Sequence, residues 1–340
     1  MSETTAMTNG TTNVARAGAA TAEALWLRLL RRWGTISVIV LTAIGFGFAS
    51  PWFLTLSNLN NILFSMIVSA LVAMGLTFVV MAGSFDLSVG LAVTFTSIVT
   101  AFAIPVLGPW GAIVAALMAG ALIGLVNGFL VTYGRLSGIV VTLAMMFVLE
   151  GINTFLTGGY QVPVSYSEVA FAFIGQGKIG PVGFPVLLLA LVFGLAHVLA
   201  TKTKVGHYIS AVGDNPMAAF YSGINVYHWV IVAFVLAAVL AGVGGVINTS
   251  ISSSAQPVGG QGYLLEAFAA VFLGATILGY GKPHVLGTLL GILFIYMVNS
   301  GMSMVGFSFA ARQLFAGIIL ILAVGANALL NREEIHLKFI

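Results

Sequence analysis

Ten stretches of the chain are almost continuously apolar, near residues 36–55, 61–81, 87–104, 112–132, 139–156, 184–200, 229–250, 264–280, 284–304 and 309–330. A helix needs about 20 apolar residues to cross roughly 30 Å of hydrocarbon, so each stretch predicts a transmembrane span. Barrel strands would alternate apolar and polar positions with period two, and these runs do not. The pattern therefore predicts an all-α integral membrane protein of about ten transmembrane helices. Between the sixth and seventh spans lies a polar interval, Thr201 to His228. Within it, Gly213-Asp214-Asn215-Pro216 predicts a helix start: Asp214 or Asn215 caps the helix and Pro216 takes its first turn. Met217, Ala218, Ala219 and Phe220 then form a small apolar knob. An amphipathic helix lying on the membrane is the plain alternative, but it needs longer apolar side chains than these.

Composition agrees with the pattern. Of 340 residues, 60% are apolar and 6% charged, whereas soluble domains carry roughly a quarter charged residues. Mean hydropathy is +1.11. With the N-terminus inside and ten crossings, Arg16, Arg28, Arg31, Arg32, Arg135, Lys202, Lys204, Lys282, Arg332 and Lys338 fall on the cytoplasmic side, leaving Lys178 and Arg312 outside. That bias is the one that sets topology, and it places both termini in the cytoplasm. The net charge of +3 is thus a topology signal, and without a basic stripe interleaved with aromatics it does not point to nucleic acid. Residues 1–33 read as a disordered and interfacial cytoplasmic segment, 34–330 as one transmembrane domain with 201–228 as an inner loop, and 331–340 as a cytoplasmic tail. The first span reads as an uncleaved anchor, with Ser50-Pro51-Trp52 as its interfacial end.

Catalytic chemistry is hard to place. There are no cysteines, and the five histidines, His197, His207, His228, His284 and His336, form no HExxH pair, so no metal set is expected. No GxxxxGK[ST] is present, because Gly281-Lys282 is followed by Pro283 and Thr276 stands where the first glycine belongs. Any work driven by ATP must therefore use a separate subunit.

Polar groups near the spans are few, and each is a functional candidate by default. Asp86 lies in Gly83-Ser84-Phe85-Asp86-Leu87-Ser88-Val89-Gly90, a glycine-bounded break that predicts a broken or re-entrant segment near 82–88. Asp86 or Ser84 caps the third helix there, or lines a path for solute; a break that lines a pore permits both. Glu266 reads as lying in the first turn of the eighth span, where a carboxylate suits the helix dipole. Arg312 has the wrong sign for its position and is expected to pair with Glu266 or Glu150. The segment Asn248 to Gly262, around Gln256, reads as an outer loop whose hydroxyl and amide groups suit a polyhydroxylated solute. The 157–183 loop, with Tyr160, Tyr166, Phe171 and Phe173, is long enough to dock an external partner. Gly120 with Gly124, Gly242 with Gly244 and Gly245, and Gly287 with Gly291 indicate close helix packing. Gly83 to Gly90 shares its spacing with Gly274 to Gly281, and Asn127 to Gly134 with Asn299 to Gly306, but no single repeat operation fits both pairs, so the sequence does not establish a repeat.

These residues resemble the permease subunits of bacterial ribose-type ABC sugar importers, over nearly all of Asn58 to Ala328. Gly83 to Gly90 is similar to the family's GGIDLSVG, and Asn127-Gly128 precedes an inner basic turn. Gly206-His207-Tyr208-Ile209 through Ser222-Gly223-Ile224-Asn225 is similar to G-x-Y-I-x-A-x-G-x-N…SGIN. Gln256-Pro257, Tyr263, Glu266, Ala269-Ala270-Val271 and Leu273-Gly274 follow the pattern QP…GxGYELDAIAAVVLGG. The chain departs from the family at Ser84-Phe85, Ser137-Gly138-Ile139 and Leu264-Leu265-Glu266, which bears on the identity of the solute.

The resemblance implies a multi-pass protein of the bacterial inner membrane, embedded in lipid and without catalytic activity of its own. Its expected partners are a second permease chain, two ATP-binding-cassette ATPases that hold ATP and Mg, and a periplasmic binding protein delivering a monosaccharide or related polyol. On that reading Gly213, Asp214, Asn215, Ala218, Ala219 and Gly223 couple to the ATPase, and Ser84, Phe85, Asp86, Gln256 and Glu266 line the path. The alternative is an ion-gradient-driven secondary transporter or channel for a small neutral solute. That mechanism wants charges deep in the spans, and here they sit at span ends.

Overall fold

The computed structural model describes residues 37, 39–164, 169–278 and 281–330. The expectations for residues 1–33 and 331–340, and for Tyr166, lie outside the described residues. The described helices in chain order are α1 (Ile39–Ala49), α2 (Leu56–Ser65), α3 (Ile67–Met81), α4 (Val89–Thr132), α5 (Gly138–Thr157), α6 (Val169–Gln176) and α7 (Phe184–Lys202). They continue with α8 (Lys204–Asp214), α9 (Pro216–Tyr221), α10 (Val226–Ser252), α11 (Gly260–Leu278), α12 (Val285–Met304) and α13 (Phe309–Leu330). Two short strand pairs join them. β1 (Val162–Pro163) pairs with β4 (Ser254–Ala255), and β2 (Lys178–Ile179) with β3 (Val182–Gly183). The protein is an all-α membrane protein: among the described residues five helices are long and apolar enough to span, or six with the bent pair α2 and α3.

Several elements differ from the sequence pattern for local reasons. The first apolar run is helical over Ile39–Ala49, and the chain then turns at Ser50-Pro51-Trp52 until the Thr55 side chain caps α2. The second run is not one helix, because α2 and α3 meet at Met66 with a bend of 49°. The third and fourth runs join into α4, whose 44 residues would measure about 66 Å if straight, twice what a bilayer needs. It breaks at Gly108, where φ 68 and ψ 177 are conformations that a glycine adopts freely, between Pro105 and Pro109. The inner interval holds two helices, α8 and α9, in place of the expected one. The serine-rich segment after Asn248 is largely helical, since α10 runs to Ser252 and α11 begins at Gly260, which leaves only residues 253–259 as loop. The 157–183 connection is partly folded into the bundle: Phe171 is buried, and Gly175 lies against the backbone of Ser250 and Ile251.

α3 is the central helix. Every residue from Ile67 to Val79 is buried, as its all-round apolar sequence requires, and it packs against α7, α10, α11 and α12. Lipid offers no hydrophobic drive for helices to associate, so close packing through small residues carries the assembly. Gly120, Gly124 and Gly128 form a stripe on α4 that lies on the backbone of α10 at Ala238, Phe234 and Ile231. Gly75 of α3 approaches α10 so closely that a Cβ there would stand 2.9 Å from Cα of Ala237. Gly274 of α11 likewise meets Gly287 of α12.

The connections gather at two ends. At one, Gly213 touches Met81 and Gly83, Gly138 lies against Ser84, Tyr133 packs edge-on to Tyr227 at 5.3 Å, and Lys282 pairs with Asp214 at 2.9 Å. At the other, Gln161 donates to Ser254, Gln176 to the Ser250 carbonyl, and Asn60 to the Pro181 carbonyl. Of the described basic residues, Arg135, Lys202, Lys204 and Lys282 belong to the first end, and Lys178 and Arg312 to the second.

The glycine stripe yields a stability test. Gly124→Val drives methyl groups into the α10 backbone and should destabilise the fold by about 1–3 kcal/mol, read as a lower thermal midpoint in detergent. Gly151→Val on α5, where a Cβ would meet nothing within 4 Å, should leave the midpoint nearly unchanged. Equal losses in both variants would show that the stripe is not what holds α4 to α10.

Candidate functional site

α3 ends at Met81, and the chain reverses at Gly83, whose φ of 78 places it in the left-handed region. The broken segment near 82–88 is therefore present. Gly83 and Ser84 donate to the Val80 and Val79 carbonyls, which satisfies the end of α3. Phe85 then turns toward α11, with its ring 6.2 Å from Phe268 and 6.5 Å from Phe272, one turn apart on the same face. Leu87 donates its N–H to Oγ1 of Thr142 on α5 at 3.0 Å.

Asp86 has a structural duty. Its Oδ1 accepts from the Ser88 N–H at 2.8 Å and from the Ser88 hydroxyl at 2.6 Å. Ser88, the N-cap residue of α4, makes no side-chain cap of its own, and its Oγ accepts in turn from Asn127 Nδ2 at 2.9 Å. The capping expectation thus holds in altered form: the carboxylate satisfies the backbone just ahead of α4, while Ser84 sits against Gly138. Asp86 is only 1% exposed, enclosed by the network around Ser88. Asn127 and Thr142 were not foreseen as members of this network. The signal was their polarity inside apolar spans, which marks a residue as having a buried partner.

Glu266 also departs from expectation. α11 begins at Gly260, so Glu266 lies beyond the first turn and the dipole account does not apply. Its Oε2 accepts from Tyr296 of α12 at 2.6 Å and from the Ser69 hydroxyl of α3, while Tyr263 donates to Asn248 at 3.2 Å. Arg312 pairs with neither Glu266 nor Glu150. It donates from Nη1 to Asn299 at 3.0 Å and stands over the Phe309 ring at 5.8 Å, a neutral and aromatic coordination. Glu266, Asn299 and Arg312 line one cleft between α11, α12 and α13. Glu150 is exposed on α5, and Gln256 is exposed in the short loop after β4.

The inner segment is built as its sequence predicts at the start of α9: Asn215 caps, accepting from the Ala218 N–H at 2.9 Å, and Pro216 occupies the first turn. Asp214 instead closes α8 and takes the ion pair with Lys282, exposed and so of modest strength, about 0–1 kcal/mol. Gly223, with φ 80, ends α9 in the usual glycine manner, and Asn225 caps α10. Ala219 does not belong to the outward knob. It is 4% exposed and packs with Val79, Val212, Val230, Phe234 and Ala237, because α9 must bury one face to stay on the bundle. The outward face is Met217, Ala218, Phe220 and Tyr221, and the large side chains are 62%, 64% and 79% exposed. A groove lined by Met217, Phe220, Tyr221, Ile224 and Tyr227 runs alongside.

All three features lie within residues 58–324, which match the family described as the branched-chain amino acid transport system permease component. The chain belongs to this family. It is 38% identical over 299 residues to the ribose import permease of Escherichia coli strain K12, covering 87% of this chain and 93% of the relative. It is 34% identical to the ribose import permease of Bacillus subtilis strain 168, covering 84% and 88%, and 29% identical to the D-allose transport system permease of Escherichia coli strain K12, covering 88% and 93%. No solved structure matches. As a permease the chain carries transport and not catalysis.

The Asp86 network separates acceptor from charge. Asp86→Asn retains an oxygen for the Ser88 N–H and should keep most stability, whereas Asp86→Ala leaves buried donors unpaired and should cost about 1–3 kcal/mol, read by thermal unfolding in detergent. Equal midpoints for the alanine variant and wild type would remove this network from the account of the break.

Proposed function

We propose that the chain is the membrane-spanning permease of an ABC importer in the bacterial inner membrane, moving a monosaccharide or related polyol. A periplasmic binding protein delivers the solute, two ATPase subunits holding ATP and Mg supply the energy, and a second permease chain completes the membrane unit. The observation that carries the reading is α9: a short helix capped at both ends, braced on its inner side by Ala219, and exposing Met217, Phe220 and Tyr221 at the basic end of a permease. Nothing in a lipid-embedded bundle calls for an exposed apolar helix at that end unless another protein covers it.

The ten crossings are α1, the pair α2 and α3, the two limbs of α4, α5, α7, α10, α11, α12 and α13, all within a single unit over 34–330. The basic residues at the α8–α9 end put that end, the 201–228 segment and both termini in the cytoplasm. ATPase docking falls to Asp214, Asn215, Ala218 and Gly223, with Gly213 and Ala219 supporting from behind, where they pack on the bundle. Ser84, Phe85, Gln256 and Glu266 serve the path. The sugar class is supported by relatives named for ribose and D-allose, and by a cleft whose Glu266, Asn299 and Arg312 offer hydrogen bonds suited to hydroxyl groups.

Reconstituted with its ATPase and binding protein in liposomes, the permease should take up labelled ribose or a related sugar only with ATP inside the reach of the ATPase. Uptake that follows a proton or sodium gradient without ATP would overturn the energy source, and uptake of leucine in preference to any sugar would overturn the solute class. Ala218→Glu should abolish recovery of the ATPase in a pull-down while leaving the permease folded, because a charge then meets an apolar contact. Ala219→Glu should instead unfold the α9 packing, since it buries that charge within the chain. Full ATPase recovery and full uptake by Ala218→Glu would remove α9 from the coupling role.

A further inference from the structure

We infer that Gly213 and Gly83 form the joint through which a movement of α9 reaches the Phe85 segment. This rests on the ATP-driven reading above. α8 and α9 form one packed unit, since Val212 and Ala219 share a buried cluster that rests on Val79 of α3 and a single residue, Asn215, separates the two helices. At the end of α8, Gly213 approaches the break so closely that a Cβ would overlap the Met81 carbonyl and stand 3.0 Å from the Gly83 nitrogen. Reciprocally, a Cβ on Gly83 would lie 3.4 Å from Cα of Gly213.

Two backbones therefore touch with no side chain between them. Side chains at such a contact absorb displacement by changing rotamer; apposed backbone has no such slack, and close-packed interiors transmit strain. The receiving point is where α3 ends and φ turns positive, and two residues further on Phe85 meets Phe268 and Phe272. Downstream, Leu87 and Ser88 are pinned by Thr142, Asp86 and Asn127. Between Gly213 and those pins lie residues 83–85, held by the α3 carbonyls and by Gly138 of α5, so a push from Gly213 enters at Gly83 and is carried along them to the Phe85 ring. The contact differs from the glycine stripe of α4 on α10, which joins one helix face to another: here a helix end bears on an irregular turn.

The chain has no cysteine, which makes site-specific labelling clean. In the complete transporter in nanodiscs, spin labels at Ser84→Cys and Thr276→Cys should report a distance change between the nucleotide-free and nucleotide-trapped states. Gly213→Ala, and more so Gly213→Val, should keep ATPase recovery and ATP hydrolysis, abolish that change, and lower uptake per ATP hydrolysed by about tenfold. Gly206→Ala is the comparison, because it crowds α8 against Ala200 of α7 and away from the break. It should keep the wild-type ratio of uptake to hydrolysis. An unchanged distance shift or an unchanged ratio in both Gly213 variants would overturn the joint. So would an equal fall in the ratio for Gly206→Ala, which would make the effect general packing, or loss of ATPase binding in both Gly213 variants, which would make Gly213 part of the docking face. Failure of the wild-type permease to bind the ATPase at all would instead strike the functional reading.

Discussion

A backbone that leaves helical geometry within a bilayer must find new partners for the N–H and C=O groups it releases, since the hydrocarbon supplies none. In this permease that constraint is sharpest at the turn between α3 and α4. The end of α3 closes on its own carbonyls, Asp86 and Ser88 take the start of α4, and Thr142 takes the Leu87 N–H. Asn127 secures Ser88 from the far limb of α4, so the turn is tied to two other spans. The far side of the turn is pinned by side chains, while the near side bears on the backbone of Gly213 and, through Ser84, on Gly138 of α5.

The scaffold around it is rigid for a different reason. α3 is buried over its whole circumference, and the helices around it come close through glycine and alanine, where dispersion over a large backbone contact replaces the hydrophobic drive that lipid removes. Several polar groups within the spans join one helix to another: Thr77 with Thr288, Ser97 with Thr249, and Glu266 with Ser69 and Tyr296. Arg312 is held by an amide and an aromatic ring.

The α8–α9 segment closes this scaffold at the end that carries Arg135, Lys202, Lys204 and Lys282. Its inner face is a small apolar core, its outer face a set of large exposed side chains, and the Asp214–Lys282 pair ties it to the turn before α12. Through Val79 this segment rests on the end of α3, the helix on which α7, α10, α11 and α12 also pack.

The all-α membrane class, the apolar spans, the asymmetry of basic residues, the caps at Asn215 and Pro216, the break near Asp86 and the packing role of the glycines were legible from the sequence, because each depends on residue type within a few positions. The exceptions all depended on contacts between distant segments. Whether Ala218 or Ala219 faces outward is set by which side of α9 meets Val79 and Phe234, and both residues read alike in the chain. Arg312 found Asn299 and not a carboxylate, and Glu266 found Ser69 and Tyr296, because helix rotation and not sequence distance chooses partners across a bundle. The fusion of two spans into α4 and the meeting of Gly213 with Gly83 were likewise decided in three dimensions: glycine permits a close approach or a turn, but only the surrounding helices determine which of the two it makes and against what.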